Sequence, residues 1–209
     1  MNAHSRSLGA PAWRKAPPAA CTVAVARGLD DVMQAIAIRS AVYMSEQNCP
    51  YAEEFDGNDF AGATHLIARI GGEPAGCLRL RWFSDFFKVE RVAVLPKCRG
   101  AVVALELIGA AIDLGGRKGY RRLLGHVTPD LVGYWRRNVG AAPRAGRHPF
   151  RFSGVDYVEM EFDLPDAADR LTMDSDALVL LRPEGDWDQP GVLERRGPGL
   201  AMAHAGAAA

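Results

Sequence analysis

Hydrophobic positions along the first fifty residues change from an alternating to a helical spacing. Residues 21–26 alternate weakly between apolar and polar side chains, which predicts a first strand. From Leu29 to Met44, apolar side chains recur every three or four positions, which predicts an amphipathic helix that ends near Gln47. The Asn48–Pro50 segment interrupts this helix, because proline has no amide hydrogen to continue it.

The next part of the chain has the pattern of three consecutive strands. Residues 64–70 and 75–82 are strongly apolar and are separated by Gly71–Gly72, a pair typical of a tight hairpin turn. A third strand is predicted over residues 88–94. The three together predict an antiparallel meander.

Beyond this meander, strands and helices alternate. Residues 100–114 have one apolar face and predict a helix that ends at Gly115–Gly116. A strand over 122–127, a helix over 129–138 and a late strand over 156–164 follow. Because a meander precedes the crossovers, the pattern predicts an α/β (α+β) fold with a sheet of mixed strand direction.

The length and composition of the chain predict one main domain. It has 209 residues, 48% of them hydrophobic, which is enough for one core and a small additional segment. We expect a folded domain over residues 20–165 and an extension over 166–196 that packs on it. Residues 1–19 and 197–209 are rich in Ala, Gly and Pro without periodicity, so we expect disordered tails.

Charge is balanced over the whole chain but not along it. The 25 basic and 25 acidic residues give zero net charge, which argues against nonspecific nucleic-acid binding. Residues 152–194 contain twelve acidic and two basic side chains, whereas residues 115–151 contain one acid and nine basic side chains. We expect the two regions partly to neutralise each other, although the basic one could also attract a polyanionic carrier. The nine are Arg117, Lys118, Arg121, Arg122, Arg136, Arg137, Arg144, Arg147 and Arg151.

The four cysteines, Cys21, Cys49, Cys77 and Cys98, are widely spaced. They form no CxxC pair, which argues against a zinc ribbon or a thioredoxin-type site, and we expect no metal. We interpret them as thiols of a cytoplasmic protein. The first twenty residues lack the apolar core of a signal peptide and no run of eighteen apolar residues occurs, so we expect no membrane span.

The segment from Val92 to Ala104 contains the strongest chemical signal. Its sequence, VAVLPKCRGAVVA, predicts a β-branched strand that passes through Leu-Pro and Arg-Gly into a helix. Such a junction directs the unpaired amides of a helix N-terminus at one point, which suits a phosphate group. The pattern predicts either a cradle for the pyrophosphate of an acyl carrier such as coenzyme A or an ordinary strand-to-helix connection.

This junction and the order of elements resemble the GCN5-related N-acetyltransferase (GNAT) superfamily over roughly residues 21–164. The phosphate-binding signature of that family is Arg/Gln-x-x-Gly-x-Gly/Ala. Arg99 matches its first position and Ala104 its last, whereas Val102 replaces the middle glycine. The resemblance implies a mixed, mostly antiparallel sheet with a splayed central strand pair and flanking helices, and acyl-CoA as co-substrate without a metal.

The same resemblance implies which residues bind acyl-CoA. The strand pairs with the pantetheine arm, and the backbone amides of the following loop hold the pyrophosphate. The valine at position 102 narrows the approach of the phosphate, so either the carrier sits farther out or the donor is not ordinary acetyl-CoA. The candidates are Val92, Ala93, Val94, Arg99, Gly100, Ala101, Val102, Val103 and Ala104.

A second group of motifs resembles the acyl-homoserine-lactone synthases and the bacterial N-acyl amino acid synthases. These motifs are FDGND at 55–59, THLI at 64–67, GCLRL at 76–80 and ERVAV at 90–94. Both families share the fold and transfer longer acyl chains, often from acyl carrier protein, which adds that partner as an alternative donor. Residues 81–84 replace the Pro-Thr-rich stretch of lactone synthases, which argues against a true lactone synthase.

Acyl transfer to an amine needs a group that accepts the proton of the amine. Glu90 is the candidate base, because it lies on the strand beside the expected thioester. A strict period of two would place it on the same face as Val92 and Val94. Its alternative role is an ion pair with Lys88 or Arg79.

The leaving thiolate also needs a proton. Tyr134, in an aromatic-rich helix, is the candidate acid that the family resemblance implies, although Arg136 stands four positions before Gly140, where the tyrosine is usual. Alternatively, Tyr134 and Trp135 pack the helix onto the sheet. His126 could titrate near neutrality or serve a structural role.

Four carboxylates lie within the seven residues from Glu53 to Asp59. In the synthases that this region resembles, an acidic loop helps to hold the amine acceptor, and attraction to an ammonium group supports that role. The candidate acceptor-binding residues are Glu54, Asp56, Asp59 and Arg79. The loop lacks the repeated D-x-D-x-D-G frame of a calcium site, and a solvated turn is the alternative.

Three functions follow from these patterns. The leading one is a GNAT-type N-acyltransferase that moves an acyl group from acyl-CoA to the amine of a small molecule or amino acid. A related enzyme charged by acyl carrier protein is the second, and a catalytically silent acyl-CoA-binding module is the third. The sequence determines neither the acyl length, nor the acceptor, nor the oligomeric state.

Overall fold

The computed structural model describes residues 21–100, 102–152 and 154–195. The strands in these ranges are β1 (Cys21–Val25), β2 (Thr64–Ile70), β3 (Glu73–Trp82), β4 (Phe87–Val94), β5 (Arg122–Val127), β6 (Ala142–Pro143), β7 (Phe150–Phe152) and β8 (Val155–Asp163). The α-helices are α1 (Leu29–Arg39), α2 (Tyr51–Glu54), α3 (Val103–Arg117), α4 (Val132–Asn138), α5 (Ala177–Leu180) and α6 (Val192–Arg195). A π-helical turn (Ser40–Glu46) continues α1, and short 3₁₀ turns precede α3 and α4 (Pro96–Cys98 and Pro129–Leu131).

The strands form one mixed sheet in the order β1-β2-β3-β4-β5-β8-β6, with β7 paired to β8. The pairs are antiparallel apart from β4 and β5, which are parallel. These two strands pair from Phe87 to Val89, opposite residues 123–125, and they part beyond that point. The predicted mixed, mostly antiparallel sheet with a splayed central pair and flanking helices is confirmed.

Helices cover both faces of the sheet. The larger core lies under α3 and α4 and includes Leu107, Leu123 and Met160. The smaller core lies under α1, where Ile38 packs with Cys77 and neighbouring apolar side chains of the sheet. The helical spacing of the early apolar residues therefore reflects burial against the sheet.

The predicted end of α3 at Gly115–Gly116 is wrong, because the helix continues to Arg117. Gly115 is instead needed for packing: a β-carbon there would lie 2.4 Å from the ring of Phe87. The chain leaves the helix at Gly119, whose φ of +86° suits a residue without a side chain.

Further elements also differ from the sequence-based expectation. The predicted helix to Gln47 changes from α-helical to π-helical at Ser40. Part of the expected acidic loop is the short helix α2, which begins after Pro50. The short strand β7, which pairs with the start of β8, was not predicted.

The extension packs against β1 and α3. Trp187 is buried in the larger core, and the Arg117 guanidinium lies over its ring at 5.5 Å. Lys118 also pairs with Glu184, at 2.9 Å. These contacts join residues 166–195 to the main domain, whereas the expected tails, 1–19 and 197–209, lie outside the described residues.

The basic and acidic regions of the sequence neutralise each other in space. Six of the nine basic residues between 115 and 151 form ion pairs with acids between 156 and 188. Most of the positive charge of residues 115–151 is therefore neutralised within the chain. The six are Arg117, Lys118, Arg121, Arg144, Arg147 and Arg151.

Candidate active site

A cleft of about 600 Å³ opens where β4 and β5 part. One wall is mainly charged and comes from β3, β4 and the segment 52–56. The opposite wall is aromatic and comes from α4, β7 and β8. Its aromatic residues are Trp135, Phe150, Phe152 and Tyr157.

A β-bulge in β4 shapes the charged wall. Glu90 pairs with Arg79 and Ala93 pairs with Cys77, so two residues of β4 stand opposite the single residue between Arg79 and Cys77. One of these two is Arg91, whose φ of +54° is rare for a residue with a side chain. Backbone strain of this kind occurs most often at functional sites in proteins.

The bulge overturns one expectation about β4. With a strict period of two, Glu90 would share a face with Val92 and Val94. Instead, Val89, Val92 and Val94 all pack towards the α3 side of the sheet, whereas Ala93 packs towards α1. The extra residue shifts the alternation, so Glu90 and Val92 are on opposite faces.

Glu90 lines the cleft as an ionised carboxylate. Its Oε1 accepts a hydrogen bond from Arg79 Nε at 2.9 Å, and its Oε2 lies 2.7 Å from Lys88 Nζ. Burial opposes ionisation, but the hydrogen bonds and charges of Lys88 and Arg79 outweigh it and lower the pKa of Glu90. This carboxylate is therefore held ionised between two cations and is a weak proton acceptor.

A layer of buried charged side chains lies behind the charged wall of the cleft. Asp59, only 7% exposed, lies between two fully buried arginines, with its Oδ1 at 2.5 Å from Arg39 Nη1 and 2.8 Å from Arg79 Nη1. Glu54, 1% exposed, binds Arg39 Nε at 2.5 Å. Glu54, Asp59 and Arg79 are not on the cleft surface, so the structure places these three predicted acceptor-binding residues in its supporting layer.

Asp56 does reach the cleft. Its carboxylate accepts hydrogen bonds from Arg79 at 2.6 and 2.9 Å, and Arg91 lies 3.3 Å away. Burial disfavours its ionised form, but the bonds from Arg79 and the Asn58 amide lower the pKa well below its usual range. Asp56 thus anchors the loop to the sheet while facing the cleft.

Tyr43, which sequence reasoning assigned only to the apolar face of a helix, lines the cleft. Its hydroxyl donates a hydrogen bond of 2.7 Å to the carbonyl oxygen of Val92, and burial raises its pKa. The signal that could have found it was the position of a tyrosine just before the helix-breaking segment at 48–50. The π-helical turn that presents it is a geometry often found at functional sites.

His126 projects from the end of β5 into the wall of the cleft. Its Nε2 is buried without a hydrogen-bond partner among the described residues, and its ring packs edge-on against Phe150 at 4.8 Å. Burial and the charge of Lys88 lower its pKa, against the opposite effects of Glu159 and Glu90. The imidazole is therefore neutral at pH 7 and able to accept a proton.

Helix α4 presents Trp135, not Tyr134, to the cleft. Trp135 packs on Gly125, where a β-carbon would lie 3.0 Å from the indole. Tyr134 is partly buried against the larger core, and burial raises the pKa of its phenol. The sequence alone left open which of the two aromatic residues faces the reaction.

The predicted phosphate-binding segment follows β4 directly. Gly100 has a φ of +78°, and α3 begins at Val103 after an N-cap residue, Val102, whose side chain forms no capping hydrogen bond. Arg99 forms a two-pronged ion pair with Glu46, at 2.5 and 2.6 Å. Val92, Ala93, Val94, Val102, Val103 and Ala104 occupy the strand end and helix start as expected, and Ala101 lies outside the described residues.

Neither a membrane-spanning helix nor a metal-binding cluster is found within residues 21–100, 102–152 and 154–195. No helix in these ranges is long and apolar enough to cross a membrane. No group of three or more His, Cys, Asp or Glu side chains in the same ranges is arranged to hold a metal ion. Cys21, Cys77 and Cys98 are free thiols, and burial raises the pKa of Cys77 to about 12.

Comparison with known proteins agrees with this architecture. Residues 33–140 match the family model described as Acetyltransferase (GNAT) family. A Bacillus subtilis protein described as a candidate acetyltransferase is 26% identical over 132 residues, which cover 62% of this chain and 88% of that protein.

Solved structures show the same fold. A Lactobacillus plantarum protein described as a candidate N-acetyltransferase matches with a TM-score of 0.64 and 21% identity, covering 70% of this chain and 99% of the other. The CoA-dependent acyl-homoserine lactone synthase BjaI, solved with SAM and isopentyl-CoA, matches with a TM-score of 0.59 and 15% identity, covering 69% and 84%. The matched model spans more than half of the chain, and the chain therefore belongs to the acetyltransferase (GNAT) family and is a transferase.

Proposed function

We propose that this protein transfers an acyl group from acyl-CoA to the amine of a small molecule or amino acid. The observation that carries this proposal is the parting of β4 and β5 beyond Val89. The gap brings the strand end that leads to the α3 N-terminus next to a cleft lined by charged and aromatic side chains. A thioester in this gap can meet an amine in the cleft.

The donor is expected on the strand end and the α3 side. The uncapped amides at the start of α3, together with Arg99, suit the pyrophosphate, and residues 92–94 suit the pantetheine arm. Backbone amides released from pairing near the bulge suit the polarisation of the thioester carbonyl. Because most of the basic residues between 115 and 151 are paired within the chain, CoA is favoured over an acidic carrier protein.

We assign the acceptance of the amine's proton to His126 and the attraction of the ammonium form to Glu90. Lys88, Glu90 and Glu159 are the charged groups that act on His126, and its lowered pKa keeps it neutral. His126 lines the cleft, and its Nε2 is buried without a hydrogen-bond partner among the described residues. Attack forms the C–N bond and breaks the C–S bond, and the thiolate takes up a proton.

Tyr134 stays the candidate for that second proton transfer. Burial raises its pKa, so the phenol is protonated at neutral pH, as a general acid requires. It does not line the acceptor cleft, but it packs against the larger core, which lies under α3, the helix on whose side the donor is expected. A Tyr134→Phe variant that loses kcat but keeps its KM values would support this role.

The experiment is a thiol-release assay with the full chain. Acetyl-CoA, a long-chain acyl-CoA and acyl carrier protein are compared as donors, with a panel of amines as acceptors. We expect thiol release with acyl-CoA. In the wild-type protein kcat/KM should decline towards acid pH as His126 becomes protonated, and the His126→Gln variant should lack this decline. Binding of acyl-CoA without turnover of any amine would favour the silent binding module instead.

A further inference from the structure

We infer that the acceptor is an α-amino acid with an aromatic side chain, bound through its carboxylate by Arg81 and through its ring by the β7–β8 hairpin. This inference rests on the proposed N-acyltransferase function and names the substrate class of the same cleft. Two independent features of the cleft carry it: on one wall a guanidinium without an acidic partner among the described residues, and on the other an exposed aromatic surface.

Arg81 differs from the other cationic residues of the cleft. Lys88 is paired with Glu90, and Arg91 is paired with acidic residues of the 54–56 segment. Arg81 has no carboxylate within 4 Å in the described parts of the chain, and its guanidinium lies 5.2 Å from the ring of Phe83. A guanidinium at the edge of a cleft, half-buried and without a counterion, matches the planar two-oxygen geometry of a carboxylate.

The opposite wall presents aromatic surface to solvent. Phe150 and Phe152 are 37% and 41% exposed although both line the cleft. The ring of Tyr157 stacks with Phe150, with centroids 5.9 Å apart and an angle of 24° between the rings, and lies 6.4 Å from Phe152. Three aromatic rings on one short hairpin form a surface on which a further flat apolar ring can pack.

The groups proposed to bind the amine and the carboxylate lie close together. Arg81 stands opposite Lys88 in the β3–β4 pairing, and Glu90 is two residues along the same strand. His126 lies near enough to Lys88 and Glu90 for both charges to act on it, and it touches Phe150. An α-amino acid, whose amine and carboxylate are separated by one carbon, fits this arrangement.

The reaction is balanced with the groups named. The amine nitrogen attacks the thioester carbon, the new C–N bond replaces the C–S bond, and His126 takes the proton that the amine loses. The leaving thiolate takes the proton that Tyr134 is proposed to supply, and the proton on His126 passes to solvent, from which Tyr134 is reprotonated. The products are an N-acyl aromatic amino acid and the free thiol of CoA. No oxidant, reductant or metal enters the step.

The first experiment compares three acceptors with the full chain and acyl-CoA. Phenylalanine has both features, phenethylamine lacks the carboxylate, and alanine lacks the ring. We expect kcat/KM for phenylalanine to exceed that for each of the others by about tenfold or more, since each analogue leaves one partner in the cleft unused. Equal or faster turnover of phenethylamine overturns the role of Arg81, and equal turnover of alanine overturns the role of the hairpin.

The variants separate the two roles. Arg81→Gln should raise KM for phenylalanine about tenfold and leave KM for phenethylamine unchanged, whereas Arg81→Lys should recover part of the loss. Arg122→Gln, which removes an exposed arginine that does not line the cleft, is the matched control. Phe150→Ala should lower the preference for phenylalanine over alanine, and Phe60→Ala, which removes an exposed ring that does not line the cleft, should not.

Direct binding distinguishes failure of this inference from failure of the proposed function. Calorimetric titration with phenylalanine in the presence of CoA should show binding that Arg81→Gln weakens. If CoA binds and aliphatic amines are acylated but phenylalanine neither binds nor reacts, the acyltransferase function stands and this inference is wrong. If neither acyl-CoA nor CoA binds, the proposed function itself is overturned.

Discussion

The hydroxyl of Tyr43 donates a hydrogen bond to the carbonyl oxygen of Val92, 2.7 Å away. This bond joins the π-helical turn to the bulge of β4, where β5 no longer pairs with the strand. A side chain of the acceptor cleft is thus fixed to the backbone that is proposed to receive the donor.

Tyr43→Phe tests this link. We expect a loss of about 0.5–1.5 kcal/mol in the free energy of unfolding, the usual contribution of one hydrogen bond, and a fall in kcat for acyl transfer. Urea denaturation and the thiol-release assay measure the two effects. Tyr51→Phe is the control, because Tyr51 is 68% exposed and its hydroxyl forms no hydrogen bond in the described parts of the chain.

Arg99 is predicted to exchange Glu46 for the pyrophosphate of the donor. Arg99→Gln should raise KM for acyl-CoA by about tenfold, since a charge-assisted contact is lost. Glu46→Gln should lower that KM by up to about fivefold, because it frees the guanidinium from an exposed ion pair. An acyl-pantetheine thioester without phosphates serves as the comparison: equal effects on both donors would contradict a phosphate contact.

Asp59 is predicted to be essential for stability. Asp59→Asn leaves two fully buried arginines with one carboxylate fewer, and breaking a buried pair in this way costs about 3–5 kcal/mol. Asp85→Asn, which removes an exposed partner of Arg122, should cost less than about 1 kcal/mol. Chemical denaturation of both variants at neutral pH measures the two losses. A loss for Asp59→Asn as small as that for Asp85→Asn would show that the buried network is dispensable for stability.

The direction of the pH dependence of stability follows from the same carboxylates. The pKa values of Asp56, Asp59 and Glu90 are lower in the folded chain than in the unfolded chain, so the unfolded chain binds more protons as pH falls. Their contribution is complete above the ordinary carboxylate pKa near 4 and is lost progressively below it. His65 and His126, whose pKa values are lowered mainly by burial, add a loss that starts below about pH 6.5. The free energy of unfolding, measured between pH 7 and pH 3, should fall first as the histidines are protonated and again as the carboxylates are protonated. Asp59→Asn should reduce the second fall.

Two adjacent glycines of α3 should respond in opposite ways to alanine. Gly115→Ala places a β-carbon 2.4 Å from the ring of Phe87 and should cost about 1–3 kcal/mol through overpacking. At Gly116 the nearest neighbour would be 3.6 Å away, so alanine should be neutral or stabilising by up to about 1 kcal/mol through its helix propensity. Thermal denaturation of the pair measures this, and equal behaviour would argue against the Phe87 contact.

The sequence predicted those features that depend on local patterns. The strand at 122–127 has the predicted bounds, and β2 is also where the apolar run places it. The β4 bulge could not be predicted, because it depends on the pairing with β3 and reverses the alternation read from β4 alone. The glycine at 115 looked like a stop signal, but the tertiary contact with Phe87 decides its role.

The candidate site was predicted only in part, because some of its residues join it through tertiary contacts that local patterns do not show. Glu90, Asp56 and the strand-to-helix segment stand out by residue type and spacing. Tyr43 and Arg39 lie in a helix whose pattern gives no sign of chemistry, and they join the site only through contacts with residues at least fifteen positions away. Arg79 was identified from its motif, but its full burial depends on three strands and a loop that come together only in the fold.

The C-terminal extension also acts as an internal polyanion. Removing residues 166–209 takes away eight acidic and four basic side chains, which turns a neutral chain into one with a net charge of +4. Arg117, Lys118 and Arg121 would lose their partners together with the cover over α3. A truncated protein would therefore attract nucleic acid, acidic proteins and CoA alike, and the extension gives the full chain electrostatic selectivity in addition to its packing.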